Sequence, residues 1–336
     1  MAEPLRVSVL DYVITPPEVT ATQALAEVVE VARTVERLGY KRIWFSEHHN
    51  SIGLACTAPE LVIGRVAAAT STLRVGAGGI MLPNHAPLKV AEMFQTLEAM
   101  FPGRIDLGLG RAPGTDGVTA LALRRSREAV LGDDFAALAD ELFAFFTGGF
   151  PDDHPFASIT VAPQVPELPQ LWMLGSSDYG ARYAAEHGLP YAFAQQINPD
   201  AATAMLTLYR RDFTPSRFAE RPRSSFSVIA FASDDAAEAE DFAAYWTLTM
   251  SKMRSNRRTP TSMADAREFQ GAPGYAAARE AMGPRLFTGT PSQIGNRLRR
   301  LAEAGAADEV MIATPHPELA ARERSFELLA KEFGLG

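Results

Sequence analysis

Residues 43–50 read IWFSEHHN, an aliphatic and aromatic run that passes without a spacer into a carboxylate, two imidazoles and an amide. Ile43, Trp44 and Phe45 suit a buried strand. Glu47, His48, His49 and Asn50 are a poor composition for a turn that only reverses the chain. Something polar is handled where this strand ends.

On either side of it, short β-branched or aliphatic runs alternate with longer stretches whose apolar residues recur three and four apart. The candidate strands are 7–11, 42–45, 73–82, 104–110, 171–175, 190–194, 224–232 and 309–313. Helical periodicity covers 22–38, 59–70, 87–100, roughly 118–147, 178–187, 199–212, 235–253, 291–304 and 317–333. Eight alternations predict an α/β fold, a single-domain (β/α)8 TIM barrel over residues 1–336, in preference to a doubly wound sheet of similar length. In such a barrel the active site lies at the C-terminal ends of the strands, which is where Glu47 to Asn50 fall. Two insertions, at about 150–169 and 255–285, interrupt the pattern, and the second is the expected active-site lid.

The composition narrows the function. The 336 residues are 47% hydrophobic, enough to bury a large core. Thirty-two Lys and Arg against 40 Asp and Glu give a formal charge of -8, and basic runs grow no longer than RSNRR at 254–258. Nucleic acid and anionic membrane are therefore not expected partners. The start, MAEPLRVSVLDY, has no secretory pattern, and no apolar stretch reaches the roughly 18 residues of a membrane span, so the expectation is a cytoplasmic protein. The lone cysteine, Cys56, excludes an intrachain disulfide and a cysteine-rich zinc site.

Four polar constellations remain. Adjacent histidines rarely converge on one ion and no third ligand is evident near His48 and His49, so no metal is expected; a structural and a chemical histidine both stay open. GLGRAPGTD at 108–116 has a dinucleotide-like glycine spacing, yet it follows the fourth strand and Pro113 intervenes before any helix. Either its glycines let Arg111 and backbone amides approach an anion, or Arg111 sits in a surface ion pair. In LGSSDYG at 174–180, Ser176 and Ser177 could cap a helix or bind a phosphate at its amino terminus. In VGAGGIMLPNH at 75–85, Gly76, Gly78 and Gly79 weaken a strand unless another backbone or a flat ligand approaches closely.

In this order, VSVLD, WFSEHHN, VGAGGIMLPNHAPLKVAE, PGRIDLGLGRAPGTD, LWMLGSS, GLPYAFA and DEVMI resemble the bacterial luciferase-like flavin-dependent monooxygenase family, and within it the MsnO8-type branch of single-subunit oxidoreductases. The resemblance implies reduced FMN at the barrel mouth, with His48 beside the ring as hydrogen-bonding or acid/base group. It implies a phosphate held by Arg111 with Gly175, Ser176, Ser177, Tyr179 and Gly180, and a non-prolyl cis peptide at Gly78-Gly79 under the ring. Tyr179 and Gly180 stand where relatives often have Ser or Thr, and Gln195 and Gln196 where they more often have His or an aromatic residue. With Glu47, His49 and Asn50, the two glutamines are candidates for contacting substrate or supporting the site.

The implied activity is oxygenation of a small, mostly apolar substrate with O₂, through a peroxide at flavin C4a that survives only in a dry, closed site. No second nucleotide fingerprint exists in the chain, so the FMNH₂ would come from a separate NAD(P)H-dependent flavin reductase. Hydride transfer with the deazaflavin F420 is the alternative cofactor chemistry, and a non-catalytic flavin-binding protein the alternative class. A homodimer is also implied, through helices 59–70, with Ala67, Ala68 and Ala69, and 87–100, with Val90, Met93, Phe94 and Leu97.

Overall fold

The computed structural model describes residues 4–132, 134–255 and 259–336. In chain order the elements are β1 (Arg6–Asp11), α1 (Ala21–Arg37), β2 (Arg42–Phe45), α2 (Pro59–Ala69), β3 (Arg74–Met81), α3 (Pro87–Met100), β4 (Ile105–Gly110), α4 (Gly117–Arg124), α5 (Arg127–Leu131), α6 (Phe135–Thr147) and β5 (Gln170–Gly175). They continue with α7 (Asp178–Glu186), β6 (Tyr191–Ala194), α8 (Ala202–Asp212), β7 (Ser224–Ala232), α9 (Ala236–Arg254), α10 (Met263–Gln270), α11 (Tyr275–Met282), β8 (Leu286–Gly289), α12 (Pro291–Gly305), β9 (Glu309–Ala313) and α13 (Leu319–Phe333). Among the described residues no helix is long and apolar enough to cross a membrane.

Parallel pairing runs from β1 through β7 to β9 and back to β1, a closed eight-stranded barrel with helices between the strands. These eight are the strands read from the sequence. The ninth, β8, is an addition: it pairs only with the upper part of β7, Ile229 with Leu286 through Ala232 with Gly289, while residues 225–229 of the same strand pair with β9. Its four residues, LFTG, are too short to carry an alternating pattern.

Two expectations need correction, on the long helix and on α3, and the 255–285 insertion gains internal structure. The helical stretch at roughly 118–147 divides into α4, α5 and α6, because Arg125 takes a left-handed φ of 61° and the Ser126 hydroxyl caps a new helix by accepting from Ala129 N. The 255–285 insertion contains two helices, α10 starting at a capping box of Ser262 and Asp265; residues 256–258, and with them most of the RSNRR run, lie outside the described residues. On α3, Val90, Phe94 and Leu97 are buried in the chain's own core, so they are not a spare association face. The exposed stripe lies instead on α2, at Leu61, Arg65 and Ala68.

Strand alternation sorts the core. Val7, Val9, Ile43, Phe45, Val75, Ile105 and Leu107 belong to the large cluster shared with the helices, whereas Leu10, Trp44, Trp172, Ala192, Ile229 and Met311 form the cluster inside the barrel. Below the two tryptophans lies Arg42, fully buried. Its Nε donates to Glu309 at 2.8 Å and its Nη1 to Asp106 at 2.6 Å, with the guanidinium 5.0 Å from the Trp172 ring and 5.8 Å from Trp44. Trp44 Nε1 donates to Asp106 at 2.9 Å and Arg74 Nε at 2.8 Å, and the Ser8 hydroxyl donates to Glu309. The 150–169 insertion lies at this end too, since Glu167 and Leu168 line a small cavity with Lys41, Arg42, Arg74 and Gln170. That places it opposite the mouth of the barrel.

Burial alone would raise the Asp106 carboxyl, but Arg42 and Arg74 carry its pKa below the ordinary value of 3.8. Arg42→Ala takes a cation from buried Glu309 and one of two from buried Asp106, and should lower stability by about 3–5 kcal/mol, read from urea denaturation. Because the folded value is depressed, the Asp106 contribution is fully present above pH 3.8 and is lost as pH falls through the folded value. A loss within about 0.5 kcal/mol, the range of surface substitutions, would show that the barrel floor does not depend on this charge.

Candidate active site

A cavity of about 1000 Å³ opens at the C-terminal ends of the strands, walled by their loops, by α9 and by part of the 255–285 insertion. Most of the EHHN stretch is consumed in building it. The Glu47 side chain is fully buried and accepts from Met81 N at 2.8 Å, from His49 Nε2 at 2.7 Å and from His85 Nε2 at 3.0 Å. Glu47 thereby joins the loop after β2 to the end of β3. His49 donates its backbone N–H to Gly114 O at 3.1 Å and accepts at its carbonyl from Thr115. Asn50, at φ 53°, donates to Asp116 at 2.8 Å, and Asp116 caps α4. Three of the four residues thus lock the β2, β3 and β4 loops together.

His48 is the exception. Its backbone is held by Cys56 O at 3.1 Å and its Nδ1 lies 3.1 Å from Ser46 Oγ, while the half-buried ring lines the cavity. Burial lowers its pKa below 6.5, so the imidazole is neutral at neutral pH. Tyr12 meets it edge-on at 6.0 Å and stacks on Trp246 at 6.2 Å. Gln196 Nε2 donates to the Tyr12 hydroxyl at 3.3 Å, and Ser227 donates to Gln196 Oε1 at 2.9 Å. Burial pushes the Tyr12 phenol up to about 12, so it stays a neutral hydroxyl. Gln195 turns elsewhere, donating to Pro284 O at 2.7 Å.

The β4 and β5 loops form a separate corner. Arg111 lies with its guanidinium 4.1 Å from the Tyr179 ring, and both line the cavity with Gly175, Ser176, Ser177 and Gly180. A Cβ on Gly175 or on Gly180 would stand 3.2 Å from the other's Cα, so glycine lets α7 start directly against β5. Ser177 is the N-cap of α7 by position, yet its side chain makes no capping bond. On β3 the Gly78-Gly79 peptide is cis, as the resemblance implied. Gly76 has a different reason to be glycine: a Cβ there would meet Asp106 at 2.5 Å, so barrel packing accounts for it.

Tyr12, Ser46, His85, Ser227 and Trp246 complete the site and were not singled out from the sequence. Tyr12 follows β1 as Glu47 follows β2, so the same positional rule would have found it. Trp246 and Met250 carry no such mark; on α9 they read as ordinary helix core.

The Glu47–His85 pair gives a pH signature. Burial opposes both charges, but the pairing lowers the Glu47 pKa below 4.5 and raises that of His85 above 6.5. The glutamate's contribution is complete above pH 4.5 and lost as pH falls through its folded value; the histidine's is complete below pH 6.5 and lost as pH rises through its folded value. Glu47→Gln should therefore destabilise most between pH 4.5 and 6.5, measured as thermal midpoints across pH. A deficit that does not vary with pH would remove the ion pair from the account.

The family profile for luciferase-like monooxygenases matches residues 6–308. A protein of Escherichia coli K12 named luciferase-like monooxygenase is 36% identical over 323 residues, 96% of this chain and 95% of that protein. The crystal structure of apo-MsnO8 aligns with a TM-score of 0.91 at 35% identity, covering 99% of each chain. The oxygenating constituent of 3,6-diketocamphane monooxygenase from Pseudomonas putida, solved in complex with FMN, shares the fold at a TM-score of 0.73 and 18% identity over 98% of each chain. With a profile match over nearly its whole length and a relative of this identity across 96% of it, the chain belongs to the luciferase-like monooxygenase family.

Proposed function

We propose that this protein is the oxygenating component of a two-component monooxygenase, taking reduced FMN from a separate NAD(P)H-dependent flavin reductase and using O₂ to oxygenate a small, mostly apolar substrate. The observation that carries this reading is the convergence on one cavity of Arg111, the α7 amino terminus left uncapped by Ser177, and neutral His48. The FMN complex of a protein with the same fold supports the choice of cofactor.

The residues present fit the group. A phosphate suits the corner of Arg111, the Ser176 and Ser177 hydroxyls and the α7 amides. A cavity of about 1000 Å³ has room for a flavin ring with a small substrate beside it. Bound there, reduced FMN would supply the electrons that activate O₂. His48 would accept and return a proton at Nε2, its other nitrogen being occupied by Ser46. Tyr12, fixed by Gln196, would hold the ring of His48 in place. Trp246, Met250 and Met311 would exclude water, without which H₂O₂ becomes the product.

Two variants test the reading. Arg111→Ala should weaken FMN at least about tenfold more than riboflavin, since a charge-assisted bond to phosphate contributes about 1.5–3 kcal/mol. His48→Ala should still bind FMN but release H₂O₂ roughly 10² faster after the FMNH₂-loaded protein meets O₂. Equal weakening of FMN and riboflavin sinks the phosphate corner, an unchanged H₂O₂ rate returns His48 to a structural role, and tighter binding of F420 than of FMN by the parent protein replaces the cofactor.

The association we propose is a homodimer seated on α2, whose Leu61 is 73% exposed. Light scattering should give twice the 36.4 kDa chain mass, collapsing to one chain in Ala68→Glu. A single-chain mass for the parent protein at micromolar concentration rejects the dimer.

A further inference from the structure

Arg111 is not the only guanidinium on the cavity wall. Arg254, exposed at the end of α9, lines it as well, and so does Arg285, on a different side from Arg111. Arg111 follows β4, whereas Arg285 leads into β8, which stands on β7, so β5 and β6 separate the two around the barrel. The place of Arg285 is firmly built. Gln195, just beyond β6, donates to Pro284 O at 2.7 Å, Leu286 pairs with Ile229 of β7, and Met282 is buried in the interior cluster with Ile229, Trp246 and Met311. The backbone is thus fixed to the barrel on both sides of the arginine.

The guanidinium itself has little to hold. Its Nη1 donates to Ala281 O at a long 3.4 Å, and among the described residues it meets no carboxylate. Lys252 on the same wall is by contrast paired with Asp265 at 3.3 Å. The two carboxylates of the wall are engaged elsewhere, Glu47 by His49 and His85, Asp116 by Asn50 and the first turn of α4. Arg285 shares the wall with Ile229, Trp246, Met250 and Met311, and a carboxylate brought by a ligand would give its guanidinium the counter-ion that the described residues of the wall do not supply.

We infer that Arg285 receives a carboxylate of the substrate. The substrate class is then an acid-bearing amphiphile, its apolar body against Trp246, Met250, Ile229 and Met311 and its carboxylate at Arg285. The inference rests on the monooxygenase reading for what happens to that body, while the binding geometry needs no flavin.

Calorimetric titration with octanoate and with octan-1-ol, which share a chain length and differ in charge, tests it on FMN-free and FMN-loaded protein. Octanoate should bind at least about tenfold more tightly than the alcohol, the worth of one charge-assisted hydrogen bond. Arg285→Gln should abolish that preference while keeping the alcohol's affinity within about twofold, which also certifies that the variant is folded. Arg285→Lys should restore part of the preference. Equal affinity of the two probes for the parent protein, or a preference that survives Arg285→Gln, overturns the inference. So does Arg285→Gln weakening FMN more than riboflavin, which would give the arginine to the cofactor phosphate. A preference that depends on Arg285 in a protein that binds no FMN would uphold the inference and reject the monooxygenase reading instead.

Discussion

The charge on Arg42 decides which end of this barrel is closed. A guanidinium inside a ring of strands is tolerable only with carboxylates at hydrogen-bonding distance, and Asp106 and Glu309 supply them from β4 and β9. Arg74 and Ser8 complete the layer from β3 and β1. Five of the eight strands are therefore tied near their amino-terminal ends, and Trp44 and Trp172 lie directly on the tie. With the floor made of ions and the next layer of indoles, open volume is left only above them, where the strands end.

The same division appears at the top, between residues that build and the residue that reacts. Glu47 gathers two imidazoles and a backbone amide, His49 and Asn50 bind the neighbouring loops, and the net result is a rim in which His48 has a fixed place and an uncommitted ring face. A histidine beside a buried carboxylate would be expected to hold its proton. Here that carboxylate faces His49 and His85, which is why burial governs His48 and keeps it neutral.

Much of this was legible in one dimension, because strand alternation, glycine punctuation and polar residues at strand ends are local signals. All eight barrel strands lay where hydrophobic runs placed them. β8 escaped because its pairing depends on β7, some 55 residues earlier, and not on any pattern of its own. The division of labour within EHHN was equally invisible, since it is set by His85, Gly114 and Asp116, which lie in other loops. The apolar face of α3 expected to meet a second copy belongs to the barrel, and a helix pattern cannot tell which neighbour covers it. Likewise Gly76 looked like room for a ligand and is room for Asp106.

The double use of β7 has an evolutionary consequence. Its lower half closes the barrel with β9, and beyond Ile229 the strand paired with it on that side is β8. The stretch between α9 and α12 therefore hangs from a strand segment on which closure does not depend. Substitutions, insertions or wholesale replacement of that stretch can remodel the wall around Arg285 without unzipping the staves or disturbing the ionic floor beneath them. Substrate choice and foldability are thereby separable traits in this architecture, and descendants of one such chain can diverge in what they accept while inheriting the same scaffold.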